Sequence, residues 1–380
     1  MILREAKPPR RILYVVNEDF AFLLNRLPMA RAARDHGFEV HVATKVSNAA
    51  AAIEAEGFFL HPIPFRRGRL SIVGAIATIN AIRTVERQVQ PSIVHHSGLQ
   101  CCAFGSVAAL GEKFPVVNAI TGLGYIFTSA SWRSRLLNQA MTWLLPWLLN
   151  RKCSNIVVQN PDDQETLLSF GVKPDRMTVI PGSGVDTNAL RPLPEPQGPI
   201  TIGFAGRLLV DKGIRTLIAA HDLLRSQGHN FNLIIAGNPD PSNPASIPDE
   251  EVKAWAERPG ITWLGHITDI VELWRASHIA ALPSYREGLP GSLMEAAACG
   301  RPLIATDVPG CRQIVLDHQT GLLVPVEDPG ALATAILRLA ESRQLRTQYG
   351  QAARQLVVDK LSATIIGSTI GRLYNDLIVG

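Results

Sequence analysis

The sequence predicts an α/β protein built from two doubly wound, Rossmann-like parallel sheets that face each other across a cleft. Three observations carry this expectation. The chain has 380 residues, 46% of them hydrophobic, which suits two cores better than one. Compact apolar runs alternate with helix-like stretches, and the alternation restarts after residue 199. At the restart, RPLPEPQGP (191–199) carries four prolines and reads as a linker between domains 1–190 and 191–361.

The first half opens with RILYVV (11–16), a buried-strand pattern. A helix over 27–36, stopped by Gly37, and a strand over 38–44 complete a strand–helix–strand unit. The connection NEDFAFLLNRLP contains no glycine, which disfavours a dinucleotide-binding dehydrogenase. Arg26 in it is placed either to meet an anion or to stand in solvent. A helix over 49–56, a strand in FFLHPIPF, a basic loop FRRGRL (65–70) and a helix over 71–88 follow. The loop is either a solvated turn or a binder of acceptor phosphate or lipid headgroups. SIVHHSG (92–98) is a strand ending near His95 and His96, which pack or hydrogen-bond rather than bind metal, since they lack partner ligands. FPVVNAITGLGYIF (114–127) is a strand entering a loop with Thr121, Gly122 and Gly124 at the sheet edge. The stretch 131–153 holds Trp132, Trp143 and Trp147, is flanked by arginines and is interrupted by Pro146. Its unbroken apolar part is about half a bilayer span. It is a helix that either is buried or lies in a membrane interface. A strand (154–160), a helix stopped by Gly171 and a last strand with its loop (177–186) close this half.

The second half begins with the strand PITIGFAG, the loop GRLLVDKG (206–213) and a helix to residue 228. Arg207 and Lys212 thus sit between a strand's C-terminal end and a helix N-terminus, where two cations and free N–H groups suit a diphosphate. Strands at 232–237, 261–267 and 278–284, with a helix at 269–277, lead into EGLPGSLMEAAACG (287–300). In that segment Glu287 lies in a loop and Glu295 one turn inside a helix capped by Gly291 or Ser292. A helix N-terminus flanked by carboxylates suits a nucleotide-sugar, whose hydroxyls need acceptors and whose phosphates need donors. A strand, turn and helix (301–315), a final strand (320–326) and roughly three helices complete the chain.

Composition narrows the function classes. The formal charge is +4, with 20 Lys/Arg against 14 Asp/Glu in residues 1–190 and 17 against 19 in the rest. A basic first half suits an anionic surface or acceptor, and no nucleic-acid motif accompanies it. Five cysteines without a CxxC pair indicate neither a disulfide framework nor a zinc site. The N-terminus lacks a signal-peptide core, so a cytoplasmic location is expected.

Three stretches of the second half, GRLLVDKGIRTLI, ALPS and EGLPGSLMEAAACGRPLIATDVPG, resemble the family-4 glycosyltransferases of GT-B architecture. More loosely, VNEDFAFLLNRLPMARAARDHGFEVHVAT and NAITGLGYIF resemble the branch that extends lipid-linked oligosaccharides. The resemblance implies an N-terminal acceptor domain, onto which a last helix near 362–380 packs back, and a C-terminal domain for the nucleotide-sugar donor, expected to be a UDP-sugar. It implies that Arg207 and Lys212 neutralise the diphosphate, that Glu295 holds the ribose and that Glu287 faces the sugar. Gly206, Ile267, Gly288, Leu289, Gly291, Thr121 and Gly122 are the further donor-contacting positions. Many relatives carry histidine where this chain has Thr121, and His95, His96 or Glu18 do not simply replace it. No Asp-x-Asp pair occurs, so transfer without a metal or other cofactor is expected. The implied reaction is retaining transfer to a polyprenyl-diphosphate-linked sugar in envelope or exopolysaccharide synthesis, by an enzyme peripheral to the inner membrane face through the Trp132, Trp143 and Trp147 region. The alternatives are a UDP-sugar epimerase on the same fold and a non-catalytic, membrane-peripheral sugar-nucleotide-binding protein.

Overall fold

The computed structural model describes residues 9–65, 72–121, 144–241 and 243–379. These fall into two compact units: unit 1 comprises residues 1–183 and 363–380, and unit 2 comprises 184–362. The proline segment 191–199 belongs to unit 2, where the Leu193 N–H donates to Cys299 O and Arg301 reaches Pro194 O.

Unit 1 holds a seven-stranded parallel sheet: β1 (Arg10–Glu18), β2 (Phe38–Lys45), β3 (Phe59–Pro62), β4 (Ile93–Ser97), β5 (Val116–Ile120), β6 (Ser154–Val158) and β7 (Met177–Val179), in the order β3-β2-β1-β4-β5-β6-β7. Strand periodicity of two assigns β1 to both faces at once. Ile12, Tyr14 and Val16 join the core under helices Leu27–Asp35 and Ala363–Val379. Leu13 and Val15 join the core under helix Ile72–Val89. Each buried aliphatic side chain of this kind stabilises the fold by about 1.5–3 kcal/mol. The last helix, Ala363–Val379, lies close against Leu27–Asp35. A Cβ on Gly367 would come within 2.9 Å of the Ala32 Cβ, and one on Gly371 within 2.5 Å of the His36 ring. Its Tyr374 hydroxyl is 3.0 Å from that of Tyr14 and 2.7 Å from His95 Nδ1.

Unit 2 repeats the plan with six parallel strands: β8 (Thr201–Ala205), β9 (Asn232–Ala236), β10 (Ile261–Gly265), β11 (Ile279–Leu282), β12 (Leu303–Thr306) and β13 (Gly321–Val324), in the order β10-β9-β8-β11-β12-β13. In each sheet the strand order reverses once, between β1 and β4 and between β8 and β11. Open α/β sheets bind ligands at the C-terminal ends of the strands flanking that reversal.

Three helices differ from the sequence reading. Asp19–Asn25 is helical rather than a plain connection: the Asp19 carboxylate accepts from Phe20 N–H, Ser47 Oγ and Ala49 N–H, and Phe22 is buried against Tyr14. Leu99–Ala108 and Asp249–Ala256 are helices for which the sequence raised no expectation. The first is apolar nearly all round and so shows no amphipathic period.

Candidate functional site

The site grows from two loops in unit 2, one leaving β8 and the other leaving β11. The first, 206–213, contains a single 3-10 turn, Val210–Lys212, and ends at Gly213. Gly213 has φ +68°, and an added Cβ would lie 1.8 Å from Pro283 O. Only glycine permits both the left-handed backbone and this close approach, which brings the end of the first loop onto the start of the second. Further contacts join them: Tyr285 N–H donates to Asp211 O at 2.8 Å, and Arg286 Nη2 lies 3.5 Å from Asp211 Oδ2.

Lys212 therefore meets Glu287. Its Nζ donates to Glu287 Oε1 at 2.5 Å, and the same oxygen accepts from Ser284 Oγ at 2.7 Å. Thr306 Oγ1 donates to Ser284 O, so the end of β12 supports the end of β11. Behind the loop, Gly310 N–H donates to Glu287 O at 3.2 Å, and a Cβ there would come within 2.5 Å of the oxygens of Glu287 and Gly288. Glu287 is thus fixed from three sides, and its Oε2 has no partner among the described residues.

Helix Gly291–Ala298 begins beside this pair. The sequence pointed to Gly291 or Ser292 as its cap; the N-cap is Pro290, with no side-chain hydrogen bond. Proline cannot cap, so the first-turn N–H groups stay available to a ligand. Gly291 is exposed, with nothing within 4 Å of an added Cβ. Leu289 packs partly buried against the unit 2 core. Glu295, one turn inside, keeps part of its surface in solvent, yet burial pushes its carboxyl up to about 7. It is a carboxylate that gains by meeting hydroxyl donors.

Arg207 stands at the start of the first loop, half exposed, with Nη1 3.0 Å from Asp240 Oδ2. Gly206 precedes it, and Gly237 at the end of β9 presses against Gly206 O, 1.8 Å from where a Cβ would stand. Ile267 follows β10, its side chain partly buried on the core. The structure thus brings Lys212, Glu287, Gly288, Leu289 and Gly291 together at the strand-order reversal of unit 2. Asp240, Ser284, Thr306 and Gly310 escaped the sequence reading. Ser284, three residues before Glu287 in ALPS, was the one with a visible signal.

In unit 1, Thr121 is exposed immediately after β5, whereas Gly122, Gly124, Trp132, Trp143 and the basic residues 66–69 lie outside the described residues. Residues 144–149 are helical, and Trp147 is exposed while Leu145, Leu148 and Leu149 are buried. Arg26 is not solvated: it is buried, its Nε donating to Ser97 Oγ and its Nη1 to Ser183 Oγ and Asn25 O. His95 and His96 are buried. His96 Nδ1 meets Asn118 Oδ1 at 2.9 Å, and burial lowers the His96 pKa to about 4 and holds that of His95 well below the usual value. Both are neutral packing residues at neutral pH. Among the described residues no three of His, Cys, Asp or Glu converge as metal ligands, and no helix is long and apolar enough to cross a membrane.

Comparison with known proteins adds the following. A family model described as Glycosyltransferase Family 4 matches residues 28–189, and one described as Glycosyl transferases group 1 matches residues 199–342. The capsular polysaccharide biosynthesis glycosyltransferase CapM of Staphylococcus aureus is 30% identical over 177 residues, 47% of this chain and 46% of that protein. The N,N'-diacetylbacillosaminyl-diphospho-undecaprenol alpha-1,3-N-acetylgalactosaminyltransferase of Campylobacter jejuni is 24% identical over 93% of this chain and 95% of its own. Among solved structures, sucrose-phosphate synthase from Thermosynechococcus elongatus superposes with a TM-score of 0.81 at 20% identity, covering 97% of this chain and 99% of that one. HepE from Anabaena, in complex with UDP-glucose, superposes with a TM-score of 0.78 at 18% identity, covering 96% and 99%.

Proposed function

The chain belongs to the glycosyltransferases of GT-B fold that join a family 4 domain to a group 1 domain, and on that premise we propose that unit 2 holds a nucleotide-sugar, a UDP-sugar, for retaining transfer to a lipid-linked saccharide. The observation that carries the proposal is the convergence of Lys212, Glu287 and an uncapped helix start at the reversal of the unit 2 sheet. Lysine has three N–H donors and Glu287 takes one, so the diphosphate receives the others together with the first-turn N–H groups of Gly291–Ala298. Arg207 supplies the second cation, Glu295 accepts from the ribose hydroxyls and Glu287 faces the sugar.

In the reaction, the acceptor hydroxyl oxygen forms a bond to the anomeric carbon on the face from which the diphosphate departs. The bond from that carbon to the β-phosphate oxygen breaks, its electron pair stays on the phosphate, and the same oxygen takes the acceptor's proton. Negative charge grows on the leaving diphosphate, and fixed cations plus a helix N-terminus stabilise it. These groups supply the stabilisation without a bound metal. The UDP-glucose complex of HepE supports the donor class, and the undecaprenol-linked substrate of the Campylobacter relative supports the acceptor class. CapM supports a role in envelope or exopolysaccharide synthesis. The basic first half and exposed Trp147 support peripheral attachment at the inner membrane face.

The test is a nucleotide-sugar panel presented with a lipid-extract acceptor and read by mass spectrometry, with chelator in parallel. The proposal expects one UDP-sugar to donate, chelator to leave the rate unchanged, and the product to keep the anomeric configuration. Isomerisation of a UDP-sugar without acceptor would instead identify an epimerase, and binding without any turnover a non-catalytic protein.

A further inference from the structure

Arg207 presents a long side chain to water, 51% exposed, yet it is not left to wander. Asp240 meets its Nη1, and Asp240 is only 16% exposed and belongs to a loop held by several hydrogen bonds. The Asp240 N–H donates to Ser246 Oγ, Asn243 N–H donates to Asp240 O, and Ala245 N–H donates to Asn243 Oδ1. The same loop runs along the cationic loop: Leu208 N–H donates to Asn238 O, Val210 N–H to Ala245 O and Ile247 N–H to Leu208 O, at 2.8–3.0 Å. Trp263 Nε1 secures its root by donating to Gly237 O. A carboxylate held by its loop therefore meets an exposed guanidinium.

The stoichiometry of the contact decides its consequence. A guanidinium has five N–H donors in a planar fork. Asp240 engages one nitrogen through one oxygen, and Nε and Nη2 of Arg207 have no partner among the described residues. An aspartate that competed with the ligand would occupy the fork with both oxygens. This one leaves an edge open.

We propose that Asp240 is a positioning residue for the donor diphosphate: it holds Arg207 by Nη1 so that the Nε–Nη2 edge is presented to the β-phosphate, and the two contacts coexist in the complex. The inference rests on the diphosphate reading of the 206–213 loop. Its effect is confined to ligands that carry a second phosphate.

The experiment measures dissociation constants by calorimetry for UDP, GDP and dTDP and for their monophosphates, with the full-length wild type and the variants Arg207→Ala, Asp240→Asn, Asp240→Glu and the double variant Arg207→Ala/Asp240→Asn. The expected result is that Asp240→Asn weakens the preferred diphosphate by about three- to tenfold, the net scale of one ordinary hydrogen bond, and leaves its monophosphate unchanged. Asp240→Glu restores part of the loss, and the double variant binds no more weakly than Arg207→Ala alone. Tighter diphosphate binding by Asp240→Asn would show competition and overturn the proposal. Equal weakening of mono- and diphosphate would show a merely structural role and overturn it as well. If Arg207→Ala itself leaves the diphosphate unaffected, or the wild type does not prefer any diphosphate, the reading of the loop fails and the inference with it. If Arg207→Ala weakens the diphosphate and Asp240→Asn does not, the inference alone fails.

Discussion

Glu295 sits one turn inside the helix Gly291–Ala298, and burial raises its carboxyl from the usual range to about 7. Two consequences follow with definite sign. A raised carboxyl binds its proton more tightly in the folded state, so its stabilising contribution is present below about pH 4.5 and is lost as pH rises through about 7. Glu295→Gln is therefore expected to raise the melting temperature above pH 7 and to change it little at pH 5. In the proposed ribose contact the ionised carboxylate is the stronger acceptor, so affinity for the donor nucleotide should be full above pH 7 and fall as pH drops below it. Calorimetric titration between pH 6 and pH 8.5 checks this: the wild type should show the fall, and Glu295→Gln should be weak and flat. The four charged candidate residues, Arg207, Lys212, Glu287 and Glu295, could be named because residue type and spacing next to a predicted helix start suggest their chemistry. Asp240 could not, since its contact with Arg207 spans 33 residues and depends on how a proline-rich loop turns back.

Gly213 is left-handed and pressed against Pro283 O, so Gly213→Ala adds backbone strain of about 1–3 kcal/mol and also pushes the two loops apart. Gly228 has φ +90° with open space around a Cβ, so Gly228→Ala adds the strain alone. Urea unfolding should find both variants destabilised, and calorimetry should find nucleoside-diphosphate binding weakened more than tenfold only in Gly213→Ala. Equal affinities in the two would contradict the bracing role of Pro283. At the last helix of unit 1, Gly371→Leu should destabilise by about 1–3 kcal/mol in urea unfolding, because the side chain displaces the His36 ring and pulls Tyr374 away from Tyr14 and His95. Strands β1, β2 and β4 and helices such as Pro161–Ser169 were readable from apolar runs, acidic first-turn residues and a Gly171 stop, whereas the Asn160 side chain that caps this helix was read as the end of a strand. Helix Leu99–Ala108 was not readable, because burial on nearly all sides erases the period that marks a surface helix.

For the whole molecule, two parallel sheets with one reversal each could be read from the restart of the strand–helix alternation at residue 199. The packing of 191–199 on unit 2 could not: prolines exclude helix and ladder, but they do not say whether a segment hangs free or lies against a core. Return of the last helix to unit 1 rests on Tyr374, Ile366 and Ile370, whose partners lie hundreds of residues earlier in the chain. Lys212, fixed against Glu287 at the reversal of the unit 2 sheet, is the group proposed to stabilise the departing diphosphate. The most direct test compares kcat/KM of Lys212→Ala and wild type with the sugar donor found active in the panel, after circular dichroism has shown the variant folded. The expected loss is about 100- to 1000-fold, the scale for removing one charge-stabilising donor. A folded Lys212→Ala enzyme with wild-type kcat/KM would contradict it.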